Sequence, residues 1–252
     1  MEKELFTMIP VDIVSKEYES ILDDAEFKIL MYYYLKNNVE YGSSWYGHKA
    51  LRNGGYYKIA PKNYKRVIAS LEAKKFISTE PIGGNKTIVS LLLVPMVDDI
   101  DSSLYQLCED IRTGKNMRRH KINFIAVPLK ALDKMLKYEN GLSTTEIKLM
   151  IRLYRYYVSD SSIYSEVLNR NNNKIFISSR ILYDLSINEE QAKHYLSRLE
   201  EIGLFGWKTV KACYEQFGTE RRIRVGDSTN TETFEIDVAI PTWACDWETT
   251  DE

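Results

Sequence analysis

The chain has 252 residues, of which 44% are hydrophobic, 28% charged and 12% aromatic, with only 12 Gly and 6 Pro. This composition excludes a linker, a collagen or a disordered tail, and the length suits two domains that each bury a core. No apolar run approaches the roughly 20 residues needed to cross a bilayer, and Met1-Glu2-Lys3-Glu4 has mixed charge where a secretory signal has a basic and then an apolar stretch. A soluble, cytoplasmic protein with no membrane partner is expected.

Residue chemistry argues against an enzyme and against any cofactor. Cys108, Cys213 and Cys245 are far apart, as are His48, His120 and His194, without the spacing of a metal site or a disulfide framework. No HExxH, GxSxG or glycine-rich phosphate loop occurs. A nuclease needs clustered carboxylates, and Asp98-Asp99-x-Asp101 reads better as a solvated loop.

The net charge of −2 conceals segregated blocks. Residues 1–40 hold four Lys/Arg against nine Asp/Glu, a local −5. Residues 47–76 hold eight Lys/Arg against Glu72 alone, a local +7, and 112–121 adds five more bases without an acid. Such segregation can create a positive face on a nearly neutral molecule.

In chain order, the first half opens on an extended segment, Phe6-Thr7-Met8-Ile9-Pro10. A helix follows whose start is marked by a capping box, Asp23-x-x-Glu26, with Phe27, Leu30, Met31, Tyr34 and Leu35 as its core stripe. The run Tyr32-Tyr33-Tyr34 is placed in a core or interface rather than in a base-stacking platform. A second helix is expected over 45–52 and a third over 61–75, where Pro61 suits the first helical position. Strands 76–82 and 87–94 then flank Gly83-Gly84-Asn85-Lys86 as a hairpin.

The second half repeats this order. Phe124-Ile125-Ala126-Val127-Pro128 echoes the first segment 118 residues on, and the 22–31 pattern returns 120 residues on at 142–151, including a second box, Ser143-x-x-Glu146. Ile147, Met150, Ile151 and Tyr154 form its core stripe. Helices are expected at 178–185, capped by Ser178 or Ser179, and at 189–202, capped by Asn188. Residues 195–200 match 67–72, Gly203 suits the end of the third helix, and 204–214, 221–225 and 233–240 read as extended. The expected domains are 1–95 and 122–241, separated by an acidic then basic linker, 96–121, and followed by an acidic tail, 242–252, whose Trp243 and Trp247 suit packing or docking equally.

Three helices and a hairpin form the order of a winged helix, and stretches 67–77 and 195–205 resemble the third helix and first wing strand of that family. Two copies, each introduced by F-x-x-[IV]-P and an L-x-x-x-E-x-K helix, resemble the replication initiators of plasmids and phages across most of residues 5–241. The resemblance implies an α+β, mainly helical fold with two winged-helix domains in tandem. It also implies that each third helix enters the major groove of double-stranded DNA while the wing touches backbone.

Helical spacing then selects the candidate contacts. In the first copy Val67, Ile68 and Leu71 hold the core and Lys62, Asn63, Lys65, Arg66 and Ser70 face outward. Arg66 and Asn63 suit base reading, Lys62 and Lys65 phosphate anchoring, and Lys86 a wing-tip contact. The second copy offers Gln191, Lys193, His194 and Arg198, with Arg222 and Arg224 on one strand face, although Glu189 and Glu190 would repel phosphate. Arg118 and Arg119 in the linker either track phosphate or belong to a soluble hinge. A transcriptional repressor and a protein-interaction scaffold are the competing functions, and a second copy of the chain and replication or transcription proteins the further partners. Two features depart from the family pattern: the long aromatic and glycine-rich stretch 41–57, and an overall pI of 6.0.

Overall fold

A computed structural model of the chain describes residues 6–14, 21–37, 43–44, 47–83, 86–92, 124–159, 168–171, 174–177, 179–217, 220–225 and 232–241. The protein is mixed α/β, with helices and small antiparallel sheets. Among the described residues no helix is long and apolar enough to cross a membrane.

The first elements in chain order are strand β1 (Phe6–Pro10), a short 3-10 helix (Val11–Val14), α1 (Asp24–Lys36), β2 (Ser43–Ser44), α2 (His48–Asn53), α3 (Pro61–Ala73), β3 (Ile77–Gly83) and β4 (Lys86–Leu91). Then come β5 (Phe124–Pro128), α4 (Leu129–Leu136), a 3-10 turn (Tyr138–Asn140) and α5 (Thr144–Ser159). The rest comprises β6 (Leu168–Asn171), β7 (Lys174–Ile177), α6 (Ser179–Asp184), α7 (Glu189–Glu201), β8 (Phe205–Phe217), β9 (Glu220–Val225) and β10 (Thr233–Pro241).

Two compact units emerge, Met1–Ile13 with Glu17–Thr144, and Val14–Lys16 with Thr145–Glu252. The first unit thus runs past the expected linker 96–121, a stretch outside the described residues. The physical reason is a pairing that the linear repeat hides. The two F-x-x-[IV]-P segments are antiparallel partners, Phe6 opposite Pro128 and Pro10 opposite Phe124, so β5 and α4 belong to the first unit.

In the first unit α1 is the central element. Asp23 caps it, accepting from the Glu26 N–H at 2.8 Å while the Glu26 carboxylate accepts from the Asp23 N–H at 2.8 Å, as the capping box requires. Phe27 and Ile29 to Leu35 are all buried, because α1 packs on α3, α4, β1 and β4. The tyrosine run is therefore core, with the Tyr32 ring 5.6 Å from that of Tyr33 and 5.2 Å from that of Tyr56. Besides the β1–β5 pair, this unit has a sheet of order β2-β4-β3.

The second unit buries Ile147, Met150, Ile151 and Tyr154 of α5 together with Leu196 and Leu199 of α7. Its five-stranded sheet, β7-β6-β10-β8-β9, corrects the expectation of a simple hairpin wing in each copy. The β6–β7 hairpin was not legible because Asn169-Arg170-Asn171 and Asn172-Asn173 lack an alternating apolar pattern. Its inner pairs still mirror the first unit, since β10 bridges β6 and β8 as β4 bridges β2 and β3.

Helix ends repeat as well. At the end of α3, the Lys75 N–H donates to the Glu72 carbonyl and the Phe76 N–H to the Leu71 carbonyl; at the end of α7, Gly203 and Leu204 donate likewise to Glu200 and Leu199. Both are Schellman caps with a left-handed residue, Lys75 at φ 59° and Gly203 at φ 64°. The preceding helices close in the same way through Gly55 at φ 72° and Ser186 at φ 53°.

Candidate nucleic-acid interface

The candidate interface is built on α3, whose inner side is fastened at several points. Val67 and Leu71 are buried, and Ile68 is half-buried rather than fully in the core. The Tyr64 hydroxyl meets that of Tyr33, and the Tyr64 ring lies 5.2 Å from that of His48, whose Nε2 is 2.7 Å from the Ile59 carbonyl. Burial pushes the Tyr33 hydroxyl far above its ordinary pKa, and the neighbouring Tyr64 adds to the shift, so Tyr33 stays protonated. Its proton is therefore available to the Tyr64 contact at any working pH.

The far end of α3 is locked to α1. Ser70 Oγ donates to Glu26 Oε1 at 2.5 Å, and Lys74 Nζ lies 2.7 Å from both Glu26 oxygens and 2.6 Å from the Ile21 carbonyl. Burial would raise the Glu26 pKa, but hydrogen bonds from Lys74, Ser70 and the Asp23 N–H, with the Lys74 charge, lower it below the usual value. The second unit repeats the device with a different cation, since Arg198 Nη1 lies 2.9 Å from an oxygen of the fully buried Glu146. At the 128-residue spacing that relates 67–72 to 195–200, Arg198 corresponds to Ser70, and the arginine replaces a hydroxyl plus a lysine.

With this side occupied, Lys62, Asn63, Lys65 and Arg66 remain exposed, and none has a hydrogen-bonding or ionic partner among the described residues. Lys62, Lys65, Arg66 and Ala69 follow helical i, i+3, i+4, i+7 spacing, and exposed Ala69 and Ala73 add no bulk between the cations. The start of α3 is also open. Its N-cap is Ala60, no side chain caps it, and its first turn has no acid, so the positive end of the helix dipole is available to an anion.

The same comparison weakens α7. Asn188 and Gln191 form a capping box, with the Asn188 N–H 3.0 Å from Gln191 Oε1 and the Gln191 N–H 2.8 Å from Asn188 Oδ1. Glu189 and Glu190 occupy its first turn, and Glu189 lies 3.9 Å from Lys193. His194 stays exposed, with its ring 6.0 Å from that of Tyr195.

Of the residues selected from sequence, the structure thus leaves Lys62, Asn63, Lys65 and Arg66 together on an outward face. Ser70 and Arg198 turn to buried carboxylates, and Gln191 returns to its own cap. Helical spacing alone could not separate a side chain beside a neighbouring helix from one facing solvent. Arg118 and Arg119 lie outside the described residues, as do the side chains of Lys86, Arg222 and Arg224. Lys86 is opposite Gly83 at the hairpin end, and Arg222 and Arg224 occupy alternate positions of β9. Lys49, Arg52, Lys58 and Lys75 of the basic block 47–76 are also exposed.

Comparison of the chain with protein-family models, with curated proteins and with solved structures finds no match.

Proposed function

We propose that the chain is a sequence-specific double-stranded DNA-binding protein made of two winged-helix units, and that it initiates plasmid or phage replication. The observation that carries the DNA-binding reading is the outward face of α3. Lys62, Lys65 and Arg66 lie side by side on a helix whose inner face is fixed by Val67, Leu71 and Tyr64 and whose flank is held by Ser70, so a groove would meet a rigid, preorganised set of cations. Arg66 and Asn63 can each offer paired hydrogen bonds to a base edge, guanine for the arginine and adenine for the asparagine. The helix order and the β2-β4-β3 sheet support the winged-helix reading.

The first unit takes the larger share of contact, because α7 opens on two glutamates and uses Arg198 and Gln191 internally. The initiator assignment rests on the tandem F-x-x-[IV]-P and L-x-x-x-E-x-K pattern. Groove insertion and assembly would do the work without catalysis.

Selection of bound duplexes from a random pool tests the proposal. A recovered consensus supports it, and replication of a plasmid carrying that consensus with the gene supports the initiator task. Failure to enrich any sequence, with equal binding to unrelated duplexes, would refute sequence-specific recognition.

A further inference from the structure

Beside the start of α3 the first unit contains a cavity of about 630 Å3, whose lining includes Arg52, Tyr57, Lys58, Pro61, Tyr138 and Glu139. Its volume is within the range of small-molecule sites. The walls are held in place from several directions. The Tyr138 N–H donates to the Gly55 carbonyl at 2.7 Å, and Lys137 Nζ donates to the Gly54 carbonyl at 2.8 Å. Tyr56, next in the loop, donates its hydroxyl to Asp133 at 2.6 Å and accepts from Lys36 at 2.7 Å. At the other end of the loop, Ile59 is held by His48 at 2.7 Å. The loop backbone and the 3-10 turn are therefore fixed before a ligand arrives, which lowers the ordering cost of binding.

The side chains on this frame have complementary chemistry. Tyr138 is 50% exposed, and Lys58 Nζ lies 4.1 Å from its ring centroid. Tyr57 gives a second ring, half-buried, and Arg52 a second exposed cation. Glu139 adds an acceptor, and Ala60 and Pro61 place the uncapped start of α3 at the rim. A ligand suited to this set has a planar ring, a donor for the carboxylate and an anionic group within reach of both cations.

We propose that this cavity binds a nucleotide, its base against Tyr138 and its phosphate toward Arg52, Lys58 and the start of α3. The same base-plus-phosphate chemistry is offered by a free nucleoside triphosphate and by an unpaired nucleotide of a DNA strand. The inference does not depend on duplex recognition, since Arg66 does not line the cavity.

Calorimetric titration of the full chain with ATP, adenosine, inorganic pyrophosphate and a thymidine octanucleotide tests it. Tyr138→Ala and Lys58→Ala are each expected to weaken nucleotide binding about tenfold, and Tyr138→Phe to retain it, because stacking rather than the hydroxyl is needed. Arg66→Ala should leave nucleotide affinity unchanged even where it weakens duplex binding. ATP binding at least tenfold tighter than adenosine or pyrophosphate identifies a free-nucleotide site. Octanucleotide binding that depends on Tyr138 and displaces ATP, or occurs without it, identifies an unpaired strand. Pyrophosphate binding as tightly as ATP, indifference to Tyr138→Ala, or no binding of either ATP or the octanucleotide would overturn the proposal.

Discussion

The buried carboxylate of Glu26 lies 2.7 Å from the ammonium of Lys74, joining the first turn of α1 to the end of α3. Because Glu26 has a lowered pKa, its contribution to stability is complete above the ordinary carboxylate range and disappears as pH falls through the lowered value. Glu26→Gln is expected to flatten this acid limb and to cost about 2 kcal/mol at neutral pH, less than for a wholly buried pair because the Lys74 side chain is 34% exposed. Thermal unfolding of both proteins between about pH 7 and about pH 3 checks the sign. An unchanged acid limb would remove Glu26 as its source.

Arg66 and Arg198, both selected from sequence as DNA contacts, should separate in experiment. Arg66 is exposed on α3, so Arg66→Ala should change stability by less than about 0.5 kcal/mol. In the proposed complex it should weaken duplex binding about tenfold and lower the salt slope by about one, as for one lost phosphate or base contact. Arg198→Ala leaves the 0% exposed Glu146 without its guanidinium and should cost about 2 kcal/mol in unfolding of the second unit, again less than for a wholly buried pair because the Arg198 side chain is 37% exposed. Denaturant titration alongside duplex binding in graded salt distinguishes the two.

The periodic helices, their caps and the repeat were legible because each is a local pattern. Asp23-x-x-Glu26 predicts a helix start without reference to the rest of the chain, and Asn188 does the same. What escaped depends on residues distant in sequence. The β1–β5 pairing joins segments more than a hundred residues apart, and nothing within Phe124-Ile125-Ala126-Val127-Pro128 names Phe6-Thr7-Met8-Ile9-Pro10 as its partner. The candidate site divided along the same line. Lys62, Lys65 and Arg66 need only a helix and an inward Val67 and Leu71 to be placed outside, whereas Ser70 and Arg198 could be placed only once Glu26 and Glu146 were known to approach them.

The two third helices end alike but with different residues in the left-handed position. Lys75 holds φ 59° where the second unit has Gly203 at φ 64°. A side chain in that conformation costs about 1 kcal/mol, so Lys75→Gly is expected to stabilise the first unit by about 0.5–1 kcal/mol and Gly203→Ala to destabilise the second by a similar amount. Lys75 is exposed within the basic block, so in the proposed complex Lys75→Gly should also weaken duplex binding modestly. Chemical denaturation of the two variants checks the opposite signs, and a loss of stability in Lys75→Gly would refute the strain argument.

Gly54 and Tyr56 make the loop before α3 intolerant of a methyl group. A Cβ at Gly54 would fall 2.3 Å from Tyr56 Cε2 and 2.7 Å from its Cδ2. The ring cannot swing aside cheaply, because Tyr56 is 7% exposed, its hydroxyl is held by Lys36 and Asp133, and Lys137 lies 4.3 Å from its centroid. Gly54→Ala is therefore expected to cost about 2 kcal/mol or more, through overpacking and loss of these bonds. Gly47→Ala is the control, since nothing lies within 4 Å of its added Cβ. Tyr56→Phe should lose about 1–2 kcal/mol by removing the hydroxyl alone. Thermal unfolding of the three variants checks the ranking, with hydrogen exchange at Tyr57 and Lys58 reporting whether the loop loosens. Equal stability of Gly54→Ala and Gly47→Ala would mean that Tyr56 does not anchor this loop.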